Sequence, residues 1–200
     1  IDLGNINVLN KRFELFLVPF LMLLFSTPIL NIQLGKSKPY FIRMRGNSIE
    51  VGGFISENTT WTIEGSPYIV VSDVVVEPDV YLTVGPGVIV KFTSGTNLVI
   101  DGFLIAVGNS THLITFTSNA TVPEPGDWGK IWVRTNGIAN VAYSNLKCAS
   151  TGILNDGNAT VSRSSITENV NGLQGVDNVE DSIITNNTGF GIKGGSIYSC

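Results

Sequence analysis

Residues 144–192 decide the fold, because they contain three copies of one pattern. The copies are Leu-Lys-Cys-Ala-Ser-Thr-Gly-Ile at 146–153, Ile-Thr-Glu-Asn-Val-Asn-Gly-Leu at 166–173 and Ile-Thr-Asn-Asn-Thr-Gly-Phe-Gly-Ile at 184–192. They begin 20 and 18 residues apart, and residues that favour turns separate their short apolar runs. A repeat of about 20 residues in strand-like sequence is typical of a solenoid, in which each coil buries its apolar face against its neighbours.

The alignment of these copies also predicts which side chains stack from coil to coil. The two inner columns expected are Leu146–Ile166–Ile184 and Ile153–Leu173–Ile192. Asn169 and Asn187 are expected to stack at a turn, where their amides can bond each other and the turn backbone. Ala149 occupies the same place in the first copy, so this asparagine ladder should be short.

The repeats resemble those of right-handed parallel β-helix proteins of the pectate-lyase-like superfamily, through Ile-Thr-Glu-Asn…Gly-Leu and Ile-Thr-Asn-Asn…Gly-Ile. An upstream stretch is similar to the first coils of such proteins, with Val-Tyr-Leu-Thr-Val-Gly-Pro-Gly-Val-Ile-Val-Lys-Phe at 80–92. The resemblance covers the chain from about residue 69 to its end. It implies an all-β, right-handed parallel β-helix of about six coils, in a family that includes polysaccharide lyases, glycoside hydrolases, adhesins and proteins without known activity.

The N-terminal part differs in character from the repeats. Lys11 and Arg12 precede an apolar run at 13–30, which is the layout of a secretory signal. A retained membrane anchor and a buried core helix are the alternatives for this apolar helix, and the first two both place the protein outside the cytoplasm. We therefore expect a signal peptide or anchor at 1–30, a linker at 31–53, an N-terminal cap with the first strands at 54–76, and the β-helix at 77–200. We also expect the native chain to continue beyond Cys200.

Composition excludes some partners and leaves others open. Charged residues make up 14% of the chain and its net charge is −4, so there is no basic footprint for nucleic acid. Membrane contact is expected only through the N-terminal apolar run, and the oligomeric state is left open. The two cysteines, Cys148 and Cys200, lie on coils too far apart for a disulfide, because their separation along the axis is expected to be ~12 Å.

One long insertion interrupts the strand pattern, and loops that project from a rigid scaffold are common binding sites. It spans residues 121–129, and the ligand-contact candidates in and beside it are Glu124, Asp127, Trp128 and Trp132. Exposed indoles beside carboxylates could stack on a sugar ring and bond its hydroxyls. The competing interpretation is that Trp128 packs the turn against the coil and that Trp132 fills a core or surface groove.

Other motifs give weaker indications of function. Four Asn-x-Ser/Thr sequons are candidates for N-glycosylation, at Asn58, Asn109, Asn119 and Asn158. Asp177, Glu180 and Asp181 could bind Ca²⁺, although a solvated turn explains them as well. No cofactor or catalytic residue is predicted, because the single histidine, His112, lacks flanking glycines and the aspartates lie on different coils without an adjacent pair.

The sequence thus favours an exported, surface-associated β-helix that acts as a non-catalytic scaffold, an adhesion module or a carbohydrate-contact module. The alternative is a polysaccharide lyase or glycoside hydrolase whose site lies partly beyond this chain. A surface accessory protein that binds a metal or a sugar is a third hypothesis. Three or more carboxylates, or carboxylates with Arg or Lys, that converge within ~5 Å on one coil face and have perturbed pKa values would favour the enzyme. Stacked Thr, Ser and Asn would favour the scaffold.

Overall fold

The computed structural model describes residues 39–198, which form an all-β parallel solenoid of about seven turns. This confirms the predicted fold class, with about one coil more than expected. The one helical segment among the described residues is a 3-10 turn, Ile63–Gly65. None of their helices is long and apolar enough to cross a membrane. The predicted N-terminal apolar helix, Cys200 and the proposed signal or anchor lie outside the described residues.

The turns of the solenoid build three faces. Face 1 contains β6 (Ile89–Phe92), β9 (Ile114–Ser118), β12 (Ser144–Lys147), β15 (Ser165–Thr167) and β18 (Ile183–Thr185). Face 2 contains β7 (Leu98–Ile100), β10 (Trp128–Val133), β13 (Ala149–Asn155), β16 (Asn171–Gln174) and β19 (Ile192–Lys193). Face 3 contains β3 (Thr59–Trp61), β5 (Tyr81–Val84), β8 (Phe103–Val107), β11 (Ile138–Ala142), β14 (Asn158–Ser162), β17 (Asn178–Glu180) and β20 (Ser196–Tyr198).

Two long strands, β2 (Ser48–Ile55) and β4 (Tyr68–Val76), each span both face 1 and face 2. In β4, residues 68–70 pair with β6 on face 1, and residues 74–76 pair with β7 on face 2. In every later coil a turn separates the two segments. Face 1 and face 2 therefore belong to one continuous sheet, and face 3 forms the second sheet.

The predicted inner columns are confirmed. Leu146 lies in register with Ile166, which lies in register with Ile184. Ile153, Leu173 and Ile192 are aligned in the same way on face 2. Alternate residues of a strand point to opposite sides, so one apolar residue in two is enough to build such a column.

The N-terminal edge of the solenoid carries an additional strand. β1 (Phe41–Arg45) pairs antiparallel with β2, whereas all other named strands pair in parallel. β2 pairs with β4 from Ile49 onward, which lies before residue 54, where we expected the cap to start. All five residues of β1 are exposed, and Arg45 forms an ion pair with Glu50 at 2.9 Å. Charged residues on such an edge hinder pairing with other chains.

The apolar core runs the length of the coils. Its largest fully buried side chains include Trp61, Phe92, Phe116 and Trp128. Among the described residues Cys148 is buried and has no disulfide partner. Burial is also the main cause that raises the pKa of the Cys148 thiol.

Candidate functional site

The insertion between β9 and β10 is fixed to the coils on both sides of it. The Asp127 carboxylate accepts a hydrogen bond from the backbone N–H of Glu124 at 2.9 Å, which closes the turn at the end of the loop. The Gly95 N–H donates to the Asp127 carbonyl at 3.1 Å, and the Gly126 N–H donates to the Ala149 carbonyl at 3.2 Å. The loop therefore presents a defined surface at the corner between face 1 and face 2.

A small open pocket of about 240 Å³ lies beside this loop. Five of its six lining residues have polar side chains; the lining consists of Thr93, Ser94, Ser118, Asn119, Ala120 and Asp127. This volume is below the ~300–1,000 Å³ of typical ligand pockets. Hydroxyl, amide and carboxylate groups of this kind suit the hydroxyls of a sugar unit at the end or the side of a larger chain.

The two tryptophans beside the loop have different environments. Trp128 is fully buried, its ring stacks on Phe92 with 4.1 Å between ring centroids, and its Nε1 donates to the Lys147 carbonyl at 2.9 Å. It is a core residue and cannot contact a ligand at the surface. Trp132 is partly exposed on the outer side of β10. Of the two indoles, only Trp132 remains a ligand-contact candidate.

Charged groups of both signs surround Trp132. Its Nε1 donates to an Asp156 carboxylate oxygen at 2.8 Å. The Arg134 guanidinium lies 4.8 Å from the indole ring, and the Lys130 ammonium lies 5.6 Å from it, both within the range of cation–π contacts. Asp156 and Arg134 thus fix the orientation of the ring, while Lys130 sits more loosely beside it.

Arg134 also connects this cluster to the coil on the other side. It forms an ion pair with Asp101 at 3.2 Å, and the side chains of these residues are 44% and 26% exposed. Asp101, Arg134 and Asp156 occupy the corner between face 2 and face 3 on three successive coils. We name Asp101, Lys130, Trp132, Arg134 and Asp156 the Trp132 cluster.

Sequence reasoning found Trp132 but missed its charged neighbours. It placed the aspartates on different coils, and this is correct, but the corner brings them together along the axis. The residues Asp101 and Asp156 each precede a glycine, and Arg134 precedes Gly137 by three residues. A Cβ at Gly102, Gly137 or Gly157 would collide with a backbone carbonyl of a neighbouring turn. These corner glycines are the sequence signal that could have aligned the three charges.

The outer surface of face 2 is a stacked column with Trp132 at its centre. Val75, Val99, Trp132, Leu154 and Gln174 lie in register on successive coils. Val99 is only 3% exposed. Trp132 therefore stands in a largely apolar column whose polar neighbours lie along the corner.

The remaining candidate residues lie elsewhere. Glu124 is exposed in the loop, and no described contact joins it to Trp132. Asn58, Asn109, Asn119 and Asn158 are all exposed, and their glycosylation remains a prediction. The Asp177 carboxylate accepts bonds from Asn155 Nδ2 and the Ala159 N–H, and Asp181 lies 3.7 Å from Arg163. Across residues 39–198 no three His, Cys, Asp or Glu side chains gather as metal ligands.

Comparisons with family models, curated proteins and solved structures found no match to this chain. The class of the protein therefore follows from its fold: it is a parallel β-solenoid.

Proposed function

We propose that this protein is an exported, surface-associated β-solenoid that contacts carbohydrate through the Trp132 cluster and does not catalyse a reaction. Its kinship with the pectate-lyase-like superfamily and its export are parts of the same proposal. The export rests on the apolar run at 13–30 with its basic flank.

One observation carries the proposal, namely the partly exposed indole of Trp132 with fixed polar groups around it. A sugar ring presents C–H groups on its faces and hydroxyls on its edge. The first can pack against an indole, and the second can bond to the carboxylates and the guanidinium. A rigid aromatic side chain with a few placed polar groups is the usual composition of a small-molecule site. Lys130, the more distant of the two cations, can swing away to admit the ring.

The scaffold part of the proposal is supported by face 1. Its outward-facing residues stack in register and are mostly small and polar; they include Thr115, Asn145, Ser165, Thr167 and Thr185. The face therefore presents stacked hydroxyls and amides, interrupted by Lys91 and Lys147 and by the exposed Ile89 and Ile183. Stacked Thr, Ser and Asn are the pattern expected of a scaffold.

A glycan-binding experiment tests the proposal. Full-length protein is screened against soluble and insoluble polysaccharides, and the bound glycan is titrated with wild type and Trp132→Ala. We expect the variant to lose at least about tenfold in affinity, since removing one buried or stacked aromatic anchor costs 1–2 kcal/mol or more. Tyr81→Ala, which removes an exposed aromatic ring on face 3, is the matched control and should bind like wild type. Binding that survives Trp132→Ala would contradict the proposal.

The alternative function is a polysaccharide lyase or glycoside hydrolase, and one observation favours it. Asp101, Arg134 and Asp156 lie along one corner, and Arg134 pairs with Asp101 at 3.2 Å, which is one part of the arrangement expected of an enzyme. The same glycans are therefore assayed for cleavage, with and without Ca²⁺. Cleavage that Arg134→Ala abolishes, while Arg163→Ala retains it, would establish the alternative and overturn the non-catalytic proposal.

A further inference from the structure

Face 3 differs from the other two faces in its charge. The strands β3, β5, β8, β11 and β14 contain no Asp, Glu, Lys, Arg or His. Face 1, by contrast, carries Lys91 and Lys147, and face 2 carries Lys130. The next strand of face 3, β17, carries the exposed Glu180, so the uncharged part of the face is limited to these five strands.

The centre of face 3 is apolar and exposed. Tyr81, Phe103 and Ile138 lie in register on successive coils, and Ile105 and Val107 lie beside Phe103 on the same side of β8. Tyr81 is 42% exposed and Ile138 is 41% exposed. Around this strip, which we name the face 3 strip, the outward residues are polar but neutral; they are Thr60, Thr83, Asn140, Asn158 and Thr160. An apolar, aromatic centre without charge and with a polar rim is the composition of a protein interface.

The ring geometry argues against a sugar as the partner of this strip. The rings of Tyr81 and Phe103 are stacked, with 4.3 Å between centroids and 8° between planes. Each ring covers a face of the other, so the pair turns its edges outward. A pyranose packs against an exposed aromatic face, which Trp132 can offer and this pair does not. Branched aliphatic side chains such as Ile105, Val107 and Ile138 instead suit packing against another sheet, at a spacing of ~10 Å.

We propose that face 3 is a self-association surface, where a second copy of this chain packs sheet against sheet through the face 3 strip. Two copies repel each other because both carry the same net charge, and the five uncharged strands of face 3 are where they can meet without burying or opposing charges. A two-fold axis makes such a patch its own partner.

The size of the face sets the strength of the contact. Strands of five residues and five stacked strands give an area of about 17 Å by about 20 Å, from ~3.3 Å per residue and ~4.8 Å per strand. Even with the relief of its side chains, this is below the ~800 Å² per partner of a standard interface. The dimer is therefore weak and reversible, with a Kd above about 1 μM.

Sedimentation velocity over a concentration series tests this inference on the full chain, made in a host without N-glycosylation. That host is needed because glycans on Asn58 or Asn158 would stand on face 3. We expect a shift from monomer to dimer as the concentration rises. Asn140→Lys and Ile105→Lys, which each place a like charge on both halves of the contact, should remove the shift. Asn140 is exposed, so its variant keeps the fold if Ile105→Lys does not.

The matched control is Thr167→Lys, which adds the same charge to the outer side of face 1 and should leave the dimer intact. A protein that stays monomeric at all concentrations would overturn the inference, as would association that survives Asn140→Lys. Retention of a monomer on a neutral insoluble polysaccharide, lost in Asn140→Lys, would overturn it in favour of a polymer ligand. None of these outcomes depends on Trp132, so the proposed function stands or falls separately.

Discussion

The lower coils, from β2 to β9, and the upper coils, from β12 to β19, are held together in different ways. In the lower coils the interior is filled by large apolar side chains, among them Trp61, Phe92 and Phe116, all at most 1% exposed. In the upper coils the interior also holds polar residues, including Asn169, Ser164 and Ser182, of which Asn169 is fully buried. Large apolar side chains dominate the first region, where side-chain bonds at the corners occur singly, as at Ser66 and Asp73. In the second region such bonds stack into ladders that supplement a core of smaller apolar side chains.

The asparagine ladder confirms the predicted stack of Asn169 on Asn187, with Ala149 in the first place. Asn169 Oδ1 accepts from the Ala149 N–H at 2.9 Å, and the Asn169 N–H donates to Asn187 Oδ1 at 3.0 Å. Asn169 Nδ2 donates in addition to Asn187 Oδ1 and to the carbonyl of Leu146. It also donates to the Thr167 carbonyl of its own coil, so one side chain satisfies backbone groups of two coils.

A serine ladder at the corner between face 3 and face 1 repeats the same device. The Ser144 N–H donates to Ser164 Oγ at 3.1 Å, and the Ser164 N–H donates to Ser182 Oγ at 3.2 Å. The residue before each ladder position has a positive φ; these residues are Tyr143, Arg163 and Asp181 before the serines, and Cys148, Glu168 and Asn186 before Ala149 and the asparagines. The positive φ of each of these residues directs the following side chain into the corner. The hydrogen bonds of the ladder offset the conformational strain of the left-handed residue.

This difference explains why only the upper coils show their repeat in the sequence. A ladder needs the same small or amide side chain at the same place in each coil. Apolar volume can be supplied by many combinations of residues, so the lower coils carry no strict repeat.

The largest expected effect is the loss of apolar volume in the lower coils. Phe92→Ala removes a fully buried ring that stacks on Trp128, and it should lower the free energy of unfolding by about 3–5 kcal/mol. Phe103→Ala, which truncates a partly exposed ring on face 3, is the control and should cost much less. Denaturant unfolding measures both. Equal costs would show that burial does not distinguish the two rings.

The next effect tests the ladder of the upper coils. Asn169→Ala leaves the buried Ala149 N–H without its acceptor and should cost about 2–3 kcal/mol in chemical unfolding. Asn140→Ala removes the same side chain from an exposed position on face 3 and should change the stability by less than about 0.5 kcal/mol. A cost of that small size for Asn169→Ala would mean that the ladder contributes little and that the upper coils rely on packing as the lower ones do.

The smallest expected effect concerns the N-terminal end of the lower coils. Burial raises the pKa of Tyr40 to about 12, although the hydrogen bond that its Oη accepts from Trp61 Nε1 at 2.9 Å acts in the opposite direction. The folded state thus favours the neutral phenol. Its stabilisation is complete below the unfolded pKa of about 10 and is lost as the pH rises through 12, by about 2 kcal/mol after allowance for its partial exposure.

Unfolding of wild type and Tyr40→Phe between pH 9 and pH 12 measures this contribution. The stability of wild type should fall more steeply with pH than that of the variant, because the other titrating groups are common to both. If the stabilities of wild type and Tyr40→Phe fell equally with pH, this would contradict the burial of Tyr40 against the core.

Much of the architecture could be predicted from the sequence, and the site could be predicted only in part. The columns through Leu146 and Ile153 and the asparagine ladder follow from spacing, since those coils are 18 to 20 residues long. Asp101, Arg134 and Asp156 are separated by 33 and 22 residues because the connection between β9 and β10 lengthens one coil. Spacing therefore could not align these charges. The roles of Trp128 and Trp132 depend on which side of β10 each occupies, and the register shift between Lys130 and Ile131 obscures this alternation.

Hydrogen exchange on wild type and Asn169→Ala tests most directly whether two kinds of interaction hold two regions of one solenoid. We predict that the variant exchanges faster at the amides of β12, β13, β15 and β16, while the amides of β4, β6 and β8 keep the protection of the wild type. An equal loss of protection in all of these strands would contradict it, because the solenoid would then open as a single unit whatever holds its coils.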